Sequence, residues 1–438
     1  MSTKKSIKIK HYIFNIMNYI VKTCFRIFSR ILKITLFELC WITVVTISIF
    51  ILWIYNNEAV RENTQNPVIL WWTPNFPGTS ETRYCPDNIE CDIYSNRSIE
   101  DLYNIDGYLF YGSNINFDDL PLPRIYNKIW GLYHEESPRN VEELMHEEVL
   151  NLFNFSSTFS RFSDVPYPLQ YLQSLEDVTS LKYFVSTAEK NKYLKEISPV
   201  IYMQTDCETS TERDAYVKEL MKFVNIDSYG GCLNNKVMPT KFIEDYLNNL
   251  HDDEILRFIA RYKFVIAIEN GVCNDYITEK LWRAIKIGTV PIYFGSPLVR
   301  DWLPNNKSAI LLEDFPSPEI MSKHISYLLN DDNLYETYLE HKIKGLITNE
   351  ELLNEIKKRP YQLDTLKTAE KFECFVCKKL HENRNGILVA NVVNKKHYNC
   401  PKPISALGLK VNPSNSWAHS YETAKNRAAL IYKKVTMT

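Results

Sequence analysis

At 438 residues, with 45% hydrophobic and 24% charged positions, the chain has room for two or three folded domains, and its composition excludes a disordered or low-complexity protein. A formal charge of −2 lacks the basic surplus by which broad nucleic-acid binders track phosphates, so no nucleic-acid partner is expected.

The positive charge is nevertheless concentrated at the start. Residues 1–33 hold Lys4, Lys5, Lys8, Lys10, Lys22, Arg26, Arg30 and Lys33 without one acid, and residues 34–55 form a 22-residue apolar run broken only by Glu38. That length spans a bilayer and exceeds a signal-peptide core, while the basic flank keeps the N-terminus cytosolic. The expectation is a single-pass type II membrane protein: a cytosolic tail (1–33), a retained transmembrane signal-anchor (34–55), a stem (56–66), and a body in the lumen of the secretory pathway. The terminal "KKVTMT" carries no K-D-E-L address, so endoplasmic reticulum and Golgi residence are not separated.

Beyond the stem, "VILWWT" lies between Pro67 and Pro74 and predicts a first strand. "IDGYLFYG" and "IYNKIWGLYHEESP" repeat the pattern of an apolar segment ending in a polar loop, and "NVEELMHEEVLNLF" predicts a helix. The second half alternates more regularly: strand "PVIYMQT", helix "ERDAYVKELMKF", strand "IDSYG", helix "DEILRFIARY", strand "KFVIAIEN", helix "TEKLWRAIKIG", strand "TVPIYFGS". Ser317 and Pro318 then supply the N-cap and first position of a helix ending near Asn330. Two successive α/β units imply two parallel sheets with sites at the carboxyl ends of their strands. The expected domains are 67–195 and 196–370, followed by a cysteine-containing tail (371–438) that loses the alternation and reads as irregular.

Eight cysteines fall on the lumenal side: Cys85, Cys91, Cys207, Cys232, Cys273, Cys374, Cys377 and Cys400. An even number in an oxidising compartment favours disulfides. Cys374-x-x-Cys377, with His381 and Cys400 beyond, also has the form of half a zinc site, which leaves a zinc-binding redox protein as a second reading. Asn96-Arg-Ser, Asn154-Phe-Ser and Asn306-Lys-Ser are N-glycosylation candidates.

No G-x-G-x-x-G fingerprint, P-loop or Asp-x-Asp pair occurs, so neither a dinucleotide cradle nor a metal-bridged diphosphate of the usual kind is expected. In "ENGVCNDYITEKLW" an apolar strand crosses a short polar loop and restarts as a helix whose first turn holds Thr278, Glu279 and Lys280. A helix N-terminus with a lysine suits a strongly charged anion. Arg213, at the helix start after the domain's first strand, stands in the equivalent place. Without a metal, such cations must neutralise a leaving group.

The segment "YKFVIAIENGVCNDYITEKLWRAIKIGTVPIYFGSP" resembles the signature of the α1,3-fucosyltransferase family, glycosyltransferase family 10. The likeness extends through "WGLYHEESPRN", "SRFSDVPYP", "DCETSTERDAYVKELMKFVNIDSYGGC", "DWLPNNKSAILLEDF" and "FECFVC", roughly residues 67–405. The "HEESP" form, Cys273 and the "FECFVC…CPKP" tail are most similar to the divergent protein O-fucosyltransferase branch. The resemblance implies a GT-B architecture of two Rossmann-like domains facing a cleft, GDP-fucose as donor, inversion at the anomeric carbon, and no metal. By position it assigns Glu136 as general base, and Arg213 and Lys280 to the diphosphate. Tyr276 and Glu279 meet the ribose and fucose, and Glu269, Asn270 and Thr278 complete the donor pocket.

The acceptor it implies is either Ser/Thr of a folded disulfide-rich domain or N-acetylglucosamine of a glycan. A catalytically silent nucleotide-sugar or glycan binding protein is the alternative. Because neighbouring residues of an extended segment face opposite ways, Glu135 is expected to point away from the cleft that Glu136 faces. Cys374 and Cys377 are expected to tether the tail to the first domain through Cys85 and Cys91, with a local Cys374–Cys377 bridge as the alternative.

Overall fold

The computed structural model describes residues 15–24, 41, 43–49, 65–172, 174–242, 252–359, 365–387 and 391–437. The chain divides into two compact units, 1–63 and 64–438. In the first, residues 15–24, 41 and 43–49 are helical, and the rest of the expected anchor at 34–55 lies outside the described residues. Among the described residues no helix is long and apolar enough to cross a membrane.

The described residues of the unit 64–438 hold two sheets. The strands are β1 (Val68–Trp71), β2 (Glu81–Cys85), β3 (Ile89–Tyr94), β4 (Gly107–Tyr111), β5 (Ile129–His134) and β6 (Phe155–Thr158), then β7 (Val200–Gln204), β8 (Ile226–Gly230), β9 (Phe264–Ile268), β10 (Val290–Phe294) and β11 (Ile310–Leu311). The first sheet runs β2-β3-β1-β4-β5-β6 and the second β11-β10-β9-β7-β8. Every pairing is parallel except that of β2 with β3. Strands β1, β5 and β9 are buried at every position, as strands covered on both faces must be, which is why β1 and β9 read as unbroken apolar runs and β5 as one that ends at His134. Leaving β2 aside, each sheet sets its second strand outside its first and then continues in chain order. The two halves thus share one topology.

Helices α1 (Arg213–Leu220), α2 (Asp253–Ala260), α3 (Glu279–Ile287) and α4 (Pro318–Asn330) form where the 3.6-residue periodicity predicts them. Thr278 caps α3 by accepting from the Lys280 amide, and Gly288 ends it at φ 69°. A Cβ at Gly288 would come within 2.4 Å of Phe184, so glycine is required there twice over.

The tail departs from the sequence expectation. It is irregular only over residues 391–415, and on either side carries two long helices, α5 (Thr365–Arg384) and α6 (Ser416–Met437). Both cross back to the first half. On α5, Ala369, Phe372, Val376, Cys377 and Leu380 join the core cluster of Ile69, Trp71, Ile93, Tyr133 and Phe155. Cys374 bonds to Cys85 and Cys377 to Cys91, while Cys207 pairs with Cys232 and Cys273 with Cys400. The local Cys374–Cys377 bridge is therefore excluded, and the zinc reading fails because all its cysteine ligands are consumed in disulfides. The fully buried Glu373 accepts from Trp71 Nε1 (2.8 Å) and pairs with Arg83 Nε (2.9 Å), which makes its burial tolerable. Helix α6 lays Ala428, Ile431 and Val435 into the cluster that holds Leu144, Val149 and Leu150.

The expected helix over "NVEELMHEEVLNLF" breaks into two short turns, Glu142–Met145 and Glu147–Leu150. The break falls at His146, whose extended backbone ends the first turn.

Candidate active site

A cavity of about 760 Å³ opens at the carboxyl ends of β7, β8 and β9. Strand order in the second sheet reverses between β7 and β9, and the loops leaving those strands diverge there to form a crevice. Met203 and Gln204 end β7 and Thr205 follows it, Tyr229 and Gly230 end β8, and Asn270 follows β9. Val237, Met238, Phe242 and Ile255 make one wall apolar. The opposite end is charged: the first turns of α3 present Thr278, Glu279, Lys280 and Arg283, and the first half contributes Glu136 and Tyr171.

The charged end is built on a buried carboxylate. Glu269 is 0% exposed and accepts from the Thr278 amide (2.8 Å) and hydroxyl (2.7 Å), bracing the turn that starts α3. Burial pushes its carboxyl up to about 7. Lys280 Nζ lies 3.0 Å from Glu279 Oε1, 3.1 Å from Thr278 Oγ1 and 3.7 Å from Glu269 Oε2. Burial opposes the charge on Lys280, yet Glu279 and Glu269 outweigh it and raise its pKa. Burial likewise opposes ionisation of Glu279, but Lys280 and Arg283 overcome it and hold that carboxyl at about 2. The α3 terminus therefore carries fixed ionised groups in a confined space, where charge–charge interactions are least screened.

Glu136 enters from the opposite half, just past β5. Tyr276 is buried and donates its hydroxyl to Glu136 Oε2 at 3.0 Å, linking the two halves across the cavity. Glu135 turns away. It accepts from the Tyr111 hydroxyl and leaves Oε2 buried without a hydrogen-bond partner, and burial raises its pKa. One residue earlier, the buried His134 shares a hydrogen bond with the Tyr398 hydroxyl, and burial lowers its pKa to about 3.

Of the residues singled out from sequence, Glu136, Asn270, Tyr276, Thr278, Glu279 and Lys280 line the cavity together. Glu269 and Arg213 do not. Glu269 lies beneath the α3 turn, and Arg213 is 1% exposed, donating to the carbonyls of Asp206 and Ile268. Sequence reasoning missed Arg283 and Tyr171. Arg283 is legible in hindsight, since it stands four residues after Glu279 on the same helix face. No sequence signal marks Tyr171.

The glycosylation candidates also separate. Asn96 and Asn306 are exposed, whereas the Asn154 amide donates to Asn391 O (3.2 Å) and accepts from Arg124 and Trp130. A glycan on Asn154 would require breaking that network.

Two family profiles match the chain: "Fucosyltransferase, N-terminal" over residues 64–170 and "Glycosyltransferase family 10 (fucosyltransferase) C-term" over residues 189–395. The chain belongs to glycosyltransferase family 10, the fucosyltransferases. Among curated relatives, the human GDP-fucose protein O-fucosyltransferase 3 is 39% identical over 388 residues, covering 85% of this chain and 80% of that protein. Alpha-(1,3)-fucosyltransferase B of Drosophila melanogaster is 41% identical over 391 residues, covering 86% of each. Among solved structures, an α1,3-fucosyltransferase crystallised with GDP-fucose aligns with a TM-score of 0.41 and 16% identity, covering 69% of this chain and 91% of that one.

Proposed function

We propose that this fucosyltransferase moves L-fucose from GDP-fucose to a glycoprotein acceptor with inversion at the anomeric carbon. The observation that carries the reading is a single cavity in which a carboxylate from one half, Glu136, faces a lysine held at a helix N-terminus of the other half. In this scheme the apolar wall takes the nucleobase, Lys280 and the α3 amides meet the diphosphate, and Glu279, Tyr276 and Asn270 meet the sugars. Glu136 removes the proton of the acceptor hydroxyl. The acceptor oxygen attacks the anomeric carbon as its bond to phosphate breaks, and GDP departs with the electron pair onto the fixed cations. No metal is required, since side chains supply the positive charge.

The same reading gives the body a GT-B arrangement with a division near residue 195, and an N-terminal anchor at 34–55 that faces it into the secretory lumen. One relative is named a protein O-fucosyltransferase and another an alpha-(1,3)-fucosyltransferase; on this reading the acceptor is either Ser/Thr of a folded disulfide-rich domain or N-acetylglucosamine of a glycan. The test is transfer from GDP-fucose by purified residues 64–438 to both. Transfer to either supports the enzyme. GDP binding without transfer to either would replace it with a silent binding protein.

A further inference from the structure

The turn that carries Glu136 is pinned to the donor half at three points, and one of them involves an arginine with no role in the scheme above. Glu136 stands just before one short turn, Pro138–Asn140, which contains Arg139 and whose Arg139 amide is capped by Ser137 Oγ. The first point is the Tyr276–Glu136 hydrogen bond. The second is steric: a Cβ on Gly271 would lie 2.5 Å from Ser137 Oγ, so the loop after β9 presses directly against this turn. The third is ionic. Arg139 Nη2 reaches across to Asp206 Oδ2 at 2.6 Å.

Asp206 is also the residue on which Arg213 rests. Arg213 Nη2 donates to the Asp206 carbonyl and lies 3.6 Å from its carboxylate. Two guanidiniums from opposite halves thus converge on one half-exposed aspartate, and each keeps a buried Nε with no hydrogen-bond partner. Arg139 is additionally backed by the Trp417 ring at 5.2 Å, and Trp417 donates to the Glu208 carbonyl at 2.7 Å in the same loop. The bridge thus joins the turn beside the candidate base, three residues from Glu136, to the loop that follows β7, whose first residue, Thr205, lines the cavity.

We propose that Arg139 is a positioning residue of the transfer reaction. Through Asp206 it fixes the Glu136 turn relative to the donor half, and so sets the distance between the proton acceptor and the anomeric carbon. The inference rests on the functional reading given above and assigns Arg139 no contact with substrate. A misplacement of about 1 Å between reacting groups costs on the order of 100-fold in rate.

The test uses residues 64–438 and the variants Arg139→Ala, Arg139→Lys, Asp206→Asn and the Arg139→Ala/Asp206→Asn pair, with kcat expressed per GDP-binding site. Asp206→Asn, isosteric at a half-exposed position, keeps the test alive if Arg139→Ala does not fold. The expected result is a kcat for transfer at least about tenfold lower in Arg139→Ala and Asp206→Asn, GDP affinity changed less than about threefold, partial recovery in Arg139→Lys, and a double variant no slower than the slower single one. Unchanged kcat in an active parent's variants would overturn the proposal and leave the bridge a stability element. Multiplying effects in the double variant, or GDP affinity falling in step with kcat, would overturn it too, the latter by making Arg139 a donor contact. A parent without transfer would instead overturn the functional reading and this inference with it.

Discussion

Glu135 and Glu136 are adjacent in sequence and opposite in environment. The alternation of an extended strand end turns one toward the cavity and the other toward Tyr111, so only Glu136 can reach a substrate between the halves. A general base contributes roughly 100- to 10,000-fold in rate and little to holding a donor whose charge lies at its phosphates. Glu136→Gln is therefore expected to bind GDP nearly as well as the parent while transferring fucose at least about 100-fold more slowly, and Glu135→Gln to cost far less. Equal losses in the two variants, measured side by side, would make Glu136 a structural residue. Lys280→Ala removes a charge-assisted contact to phosphate, so titration calorimetry should find GDP binding about ten- to 100-fold weaker. Transfer by the parent should persist in excess EDTA, since the proposed neutralising groups are side chains; loss of activity on chelation, restored by a divalent cation, would contradict that assignment.

At the scale of elements, α3 and the loop before it depend on Glu269. Its carboxyl sits at about 7 in the folded protein, against an ordinary 4.5, because burial penalises the charged form. The folded state therefore holds this proton more tightly than the unfolded chain does. The stability it contributes is complete below about pH 4.5 and is lost as pH rises toward 7. Relative to Glu269→Gln, the ligand-free parent should lose roughly 3 kcal/mol across that window, read from denaturant unfolding at several pH values. Parallel curves for the two proteins would show that Glu269 is already ionised at the lower end.

The same scale shows what the sequence made legible. Strands β7 to β10 and helices α1 to α4 follow from apolar runs and 3.6-residue periodicity, because both faces of these strands and one face of each helix are buried locally. The edge pair β2 and β3 escaped notice: β2 reads Glu-Thr-Arg-Tyr-Cys, exposes Tyr84, and turns through Asp87 and Asn88 at positive φ rather than through a glycine. Helix α6 escaped because much of its buried face is Ala418, Ala424 and Ala428, which barely register as hydrophobic. On α5 the signal was present. Ala369, Phe372, Val376, Cys377 and Leu380 keep helical spacing, but the two cysteines drew the reading toward cross-links and metal.

For the whole molecule the consequence is that the two halves are not independent in sequence, although each is built on a separate sheet. The first sheet is composed of residues 68–158, yet one of its faces is covered by α5, some 200 residues further on and joined to it by two disulfides. Exposing Trp71, Ile93, Tyr133 and Phe155 to water forfeits roughly 1.5–3 kcal/mol for each large side chain uncovered. It also strips Trp71 and Arg83 of their shared partner, Glu373. Those losses together exceed the few kcal/mol that keep an ordinary domain folded. A fragment comprising residues 64–198 is thus expected to show no cooperative thermal transition and to bind apolar dyes, whereas residues 64–438 unfold sharply. Reduction of the longer protein should lower its melting temperature, because cross-links between segments so far apart restrict the unfolded chain by about 2–5 kcal/mol. A sharp unfolding transition in the isolated fragment would mean that the first sheet closes its core without α5, and that the helix and its disulfides are an attachment rather than part of the fold.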